Sequence, residues 1–166
     1  MLPSSNGINN LNQFITSNGI TKDLNNQYGS IQKLFTRDNN VVAFCEDKIL
    51  KILANKDALF EANGNTQLTA TNRVLGQAIP YIGNYGISKN PESFAVYGYQ
   101  KYFSDRNNNC ILRLSGNGIV EISSYGMKDY FRDEVNRIYT NSSNGRIIGG
   151  YDIHNNQYVV STQVTK

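Results

Sequence analysis

The side chains able to do chemistry in this chain are few and scattered. Histidine occurs once, at position 154, between Ile153 and Asn155. Ser–His or Cys–His catalysis needs an imidazole held beside a nucleophile and oriented by a third group. A hairpin tip offers no such support. The two cysteines, Cys45 and Cys110, lack CxxC spacing, and one histidine does not complete a usual zinc site. They read as buried thiols of a reducing compartment. Asp47 and Asp105 stand at matching places in two similar stretches, and glycosidases work with two acids across a sugar. Each is followed by a cation, Lys48 or Arg106, at an expected bend. Aspartate in such a place accepts backbone N–H bonds, so a structural role is expected, with glycan cleavage the rival. Asp38-Asn39-Asn40 begins like a calcium loop but lacks the glycine and closing glutamate. Gly116-Asn117-Gly118 and Gly149-Gly150 lack the Lys-Ser/Thr of a phosphate loop. No catalytic, cofactor-binding or metal-binding residue is assigned. No cofactor is expected, and the chain reads as a non-enzyme.

Composition narrows the partners. The 166 residues are enough for one ordinary domain. Charged residues make up 17%, against roughly 25% in typical soluble domains. Asparagine fills the gap, at about one residue in seven; it tolerates positive φ and suits tight turns. The net charge is only +3 and no run of Lys or Arg appears, so nucleic-acid binding is not expected. The eleven tyrosines could stack on sugars or bases, but no basic residues are interleaved with them. No long apolar stretch marks a membrane span, and residues 1–7 lack the basic and apolar regions of a signal peptide. Asn141-Ser142-Ser143 matches a glycosylation sequon and reads as a polar loop.

The elements that position these residues are mostly short strands. Residues 1–29 read as a polar N-terminal arm with a weak apolar cluster at Leu11, Phe14 and Ile15; residues 30–166 read as a β-repeat domain. Strands are expected over 31–35, 41–45 and 48–53, with turns at 37–40, 46–47 and 54–57. The stretch 64–97 is less regular. Residues 69–75 suit a short helix or an extended segment, and Gly83-Asn84-Tyr85-Gly86 mixes glycine and tyrosine as contact loops do. A surface insertion between repeats is expected there. Strands follow over 99–103, 110–114 and 119–122, with a turn at Ser115-Gly116-Asn117-Gly118. Cys110, Leu112 and Leu114 share one strand face. The period then changes: Met127, Tyr130, Phe131, Val135 and Ile138 form the apolar stripe of an amphipathic helix, expected to be core or a docking face. It starts near Ser124 or Gly126, with Asp129 at its positive end. Residues 141–145 link it to a last hairpin over 146–152 and 157–164.

Two of these hairpins match. Phe44-Cys45-Glu46-Asp47-Lys48-Ile49-Leu50-Lys51-Ile52 runs aromatic, small, acidic, basic, then apolar-apolar-basic-apolar. Phe103-Ser104-Asp105-Arg106, followed by Asn107-Asn108-Asn109-Cys110 and Ile111-Leu112-Arg113-Leu114, repeats that order with extra turn residues. Tyr151-Asp152-Ile153-His154-Asn155-Asn156-Gln157-Tyr158-Val159-Val160 is a weaker third echo. Repetition of a strand-turn-strand unit points to stacked pieces and to scaffolding or binding. The expected fold class is mainly β: antiparallel hairpin repeats, propeller-like blades that are incomplete, and one short amphipathic helix. A closed propeller needs about four blades, so a piece of a longer propeller-like protein is expected.

Several segments resemble structural proteins of tailed bacteriophages. They are Gly29-Ser30-Ile31-Gln32-Lys33-Leu34-Phe35, Val42-Ala43-Phe44-Cys45-Glu46-Asp47-Lys48, Ala70-Thr71-Asn72-Arg73-Val74-Leu75-Gly76-Gln77 and Tyr85-Gly86-Ile87-Ser88-Lys89-Asn90-Pro91-Glu92-Ser93-Phe94-Ala95. Tyr125-Gly126-Met127-Lys128-Asp129-Tyr130-Phe131-Arg132-Asp133 and Ile148-Gly149-Gly150-Tyr151-Asp152 complete the set. The wording is most similar to the stabilization or muzzle-type tail proteins of crAss-like phages, over most of residues 27–160, although those proteins are much longer. The resemblance implies a β-rich virion component of the neck or tail, assembled in the bacterial host cytoplasm. Its partners would be other tail or neck subunits and further copies of itself, without nucleic acid or membrane. It transfers no catalytic residues. A carbohydrate-binding tail module that recognises a host surface glycan through loop tyrosines is the alternative.

Overall fold

Turn chemistry sets the architecture of the chain. A computed structural model describes residues 20–60, 66–141 and 145–164; the Leu11, Phe14 and Ile15 cluster and residues 142–144 lie outside the described residues. Four strands form a first antiparallel meander: β1 (Ile31–Arg37), β2 (Asn40–Cys45), β3 (Ile49–Phe60) and β4 (Thr66–Pro80). β1 turns into β2 through Asp38 and Asn39, both left-handed at φ 49° and 59°, with Arg37 opposite Asn40. Short polar side chains are the ones that tolerate such a two-residue turn, whose twist matches the strands. A second meander follows: β5 (Ala95–Tyr97), β6 (Gln100–Asp105), β7 (Cys110–Ser115) and β8 (Gly118–Glu121). Helix α1 (Lys128–Asn141) then leads to a two-stranded sheet of β9 (Arg146–Asp152) and β10 (Gln157–Gln163).

The three sheets are stacked. On β2 and β3, Val42, Phe44 and Ile49 point toward Phe103, Cys110, Leu112 and Leu114 of β6 and β7, and with Ile87 they form a core in which each is 3% exposed or less. Phe44 meets Phe103 edge-on at 5.4 Å and Phe94 at 5.1 Å, the geometry that aromatic quadrupoles favour. The opposite face of the first sheet buries Ala43, Cys45, Leu50 and Ile52 against Leu24 and Tyr28 of the preceding segment and Leu75 and Ala78 of β4. The opposite face of the second sheet meets the β9–β10 hairpin: Tyr102 stacks on Tyr151 at 5.3 Å and on Tyr158 at 5.2 Å. The second sheet is thus covered on both faces. Period-two alternation makes this possible, sending Phe103 one way and Tyr102 the other.

Three expectations are corrected. The turn expected at 54–57 is strand: β3 continues to Phe60, and the register shifts on either side of Ala54. Asn55, at φ 54°, uses its left-handed tolerance inside the strand, where it bends the chain without reversing it. Within the less regular stretch, β4 spans Thr66–Pro80, and 69–75 takes the extended of its two options. The connection 81–90, expected as a surface insertion, is buried in part. Gly86, Ile87 and Ser88 are buried, and a side chain at Gly86 would collide with the Glu46 carbonyl. The helical stripe divides. Val135 and Ile138 are buried with Ile147, while Met127 and Tyr130 are 49% and 58% exposed. The described residues are mainly antiparallel strands with one α-helix, and they close neither a barrel nor a propeller.

Candidate functional site

The hairpin bends carry the residues singled out above. Asp105 ends β6 and is 1% exposed. Its carboxylate accepts the backbone N–H of Gly86, Asn107 and Asn108, the Ser88 hydroxyl and the Asn108 side-chain amide, all between 2.6 and 3.1 Å. Both oxygens are therefore occupied by protein donors. Asp47 lies exposed at the β2–β3 bend and accepts the Asn107 side-chain amide at 2.7 Å. One asparagine thus touches both candidate acids. A cavity of about 250 Å3 beside these bends is lined by Glu46, Ser88, Lys89, Arg106 and Asn107; neither aspartate is in its wall. Asn107 bridges the two carboxylates, but Asp105 is sealed by protein donors and neither aspartate lines the neighbouring cavity.

The other candidates fall in separate places. His154 is exposed at the β9–β10 bend, where its backbone N–H donates to Asp152. Cys110 is buried between the first two sheets, and Cys45 on the opposite face of the first sheet. Desolvation raises both thiols above their ordinary range, helped by Glu46 at Cys45 and by Asp105 at Cys110. Asp38 and Asn39 form the β1–β2 turn, and Gly116 and Asn117 the β7–β8 turn. Among the described residues, no three His, Cys, Asp or Glu side chains gather closely enough for a metal ion, and no helix is long and apolar enough to cross a membrane.

Residues given no site role in the sequence reading mark the open features. Glu46 accepts the hydroxyl and backbone N–H of Ser30; these bonds, with Lys89, hold its carboxyl below the usual range. Tyr97, Tyr151, Tyr102 and Tyr158 form a continuous aromatic stack, and between Tyr102, Tyr151 and Tyr158 of this stack, β7, residues 122–123 and α1 lies a cleft of about 380 Å3. The available signal was Tyr151 and Tyr158 placed symmetrically about a four-residue turn; they are cross-strand partners. The third feature is β10, an edge strand whose ladder to β9 runs through seven pairs without a register shift. Every residue of β10 is uncharged, and Val159 within it is 51% exposed. No protein-family model matches the chain, and no match to it is found among curated proteins.

Proposed function

We propose that this chain is a structural subunit of a tailed-bacteriophage neck or tail, built from propeller-like hairpin repeats and assembling in multiple copies. The resemblance of its segments to phage stabilization or muzzle-type proteins supports the setting. The stacking of like hairpins supports the repeat reading. β2–β3 and β6–β7 are the second and third strands of their sheets, they face one another through Phe44 and Phe103, and their bends touch through Asn107. β9–β10 lies on the next layer and bends as β6–β7 does. In this reading it is a blade short of two strands.

The observation that carries the assembly reading is the undefended edge of β10. Edge strands are normally blunted by Lys, Pro or bulges, and β10 has none of these. A second copy fits there. Antiparallel pairing about a two-fold axis at Val160 sets Val159 against Ser161 of the other copy and Gln157 against Gln163. No like charges are opposed in that register. The result is a four-stranded sheet, β9–β10 paired with its mate, equal in strand number to the other two.

Mass in solution tests this surface, expected to be a dimer or higher form. The double variant Val159→Lys/Ser161→Lys places like charges opposite each other and should yield monomers with an unchanged circular-dichroism spectrum. A wild-type monomer at all concentrations defeats the pairing. Mass spectrometry of purified particles tests the setting, and absence of the chain from them defeats the virion reading.

A second reading is favoured by the tyrosine-lined cleft: a tail module that holds a host surface glycan. A glycan array with the full chain separates it from the purely structural reading.

A further inference from the structure

The cleft between the tyrosine stack and α1 is the strongest unassigned feature. Its volume of about 380 Å3 lies in the range of small-ligand sites, which are mostly apolar with a few placed polar groups. The walls are mainly aromatic and aliphatic, with Tyr102, Tyr158 and Phe131 among them, and Arg113 is the sole charged residue lining it. Arg113 projects from β7 on the face opposite Leu112 and Leu114, beside its cross-strand partner Tyr102. Its Nε is buried and has no hydrogen-bond partner, and no described carboxylate forms an ion pair with its guanidinium.

The hydroxyl groups of the wall are already engaged. Tyr151 donates its hydroxyl to Asn156 Oδ1, Tyr158 to the Ser93 carbonyl and Tyr102 to Gln100. The Ser123 hydroxyl oxygen accepts the Ile111 N–H. The guanidinium is therefore the group whose hydrogen-bonding capacity is left over. A buried donor without an acceptor is costly, and a planar guanidinium matches the two oxygens of a carboxylate.

We infer that this cleft binds an acidic sugar, a uronic- or sialic-acid-type residue, with its carboxylate on Arg113. The inference rests on the glycan reading and adds the ligand class and the residue that selects it. The apolar walls suit the C–H face of a pyranose. Asn156 and Gln157, also in the lining, provide amide groups for hydroxyls that a plain alkyl carboxylate would not use.

The full chain, labelled with 15N, is titrated with sodium glucuronate, N-acetylneuraminate, glucose and butyrate. One of the acidic sugars should shift the Arg113 Nε–H and Gln157 signals and bind about tenfold more tightly than glucose or butyrate, the scale of one charged hydrogen bond. Arg113→Gln should erase the preference over glucose, and Arg113→Lys should restore part of it. Equal affinity for glucose, or a preference that survives Arg113→Gln, overturns the acidic assignment and leaves the glycan reading standing. Butyrate binding as tightly as the sugars overturns the saccharide assignment. Signals that move with none of the four, in a chain whose spectrum is dispersed and folded, overturn both.

Discussion

Asp105 and Asp152 anchor the same turn in two different hairpins. Asp105 accepts the backbone N–H of Asn107 and Asn108 and the side-chain amide of Asn108. Asp152 accepts the backbone N–H of His154 and Asn155 and the side-chain amide of Asn155. Each turn closes on an asparagine in the left-handed region, Asn109 at φ 52° and Asn156 at φ 58°. The difference is setting: Asp105 is sealed against residues 86–88, while Asp152 faces solvent. The same local chemistry therefore has unequal weight in the fold.

Replacing Asp105 tests that weight. Asp105→Ala strips five donors of their acceptor in a buried site and should cost about 3 kcal/mol or more in urea unfolding. Asp105→Asn keeps one acceptor oxygen and should fall between. Asp47→Ala loses one exposed bond and should stay within about 1 kcal/mol. Equal losses for Asp47 and Asp105 would mean that the sealed position of Asp105 contributes nothing.

Acid should weaken the fold through three carboxylates. Glu46 is lowered chiefly by Ser30, Glu134 by Arg137, and Asp152 by Asn155. A folded-state value below the unfolded one gives stability that is present above the unfolded pKa, about 4.3 for Glu and 3.9 for Asp. That stability is lost as pH falls through the lowered folded values. The urea midpoint should be higher at pH 7 than at pH 3. Ser30→Ala removes the main cause at Glu46 and should reduce that difference; an unchanged difference would refute the assignment.

Thiol chemistry reports on the layers. With both cysteines buried and their thiols pushed up by desolvation, an aromatic disulfide reagent at pH 8 should react about a hundredfold faster in denaturant than with the native chain. Rapid native labelling of Cys110 would show that the interface between the first two sheets opens.

Two glycines should behave oppositely. Gly86 abuts the Glu46 backbone, whereas Gly150 on β9 has nothing within 4 Å of an added Cβ. Gly86→Ala should destabilise by about 2 kcal/mol or more. Gly150→Ala, in extended backbone, should be neutral or stabilising by up to about 0.5–1 kcal/mol. Thermal melts of both variants decide the matter.

The local features were legible in the chain because their causes are local. Asp38-Asn39, Ser115-Gly116-Asn117-Gly118 and the Asp-anchored bends specify turns through side chains that reach only a few residues. The alternation of Cys110, Leu112 and Leu114 names a buried face, since strand geometry alone separates the two sides. Val135 and Ile138 marked a helix face by spacing. The placement of the third sheet, the sealing of Asp105 and the leftover donor on Arg113 depend on which surfaces meet. Asn55 and Lys56 carry turn propensity, yet pairing with β4 holds them in a strand, because a long cross-strand ladder outweighs a local preference. Tyr102 and Tyr151 share no sequence neighbourhood, and only the packing of the hairpin on the second sheet brings their rings together. What the chain decides by itself is where it bends and which side of each strand is apolar. What the tertiary structure decides is which apolar sides find each other, since burial is a property of pairs of surfaces.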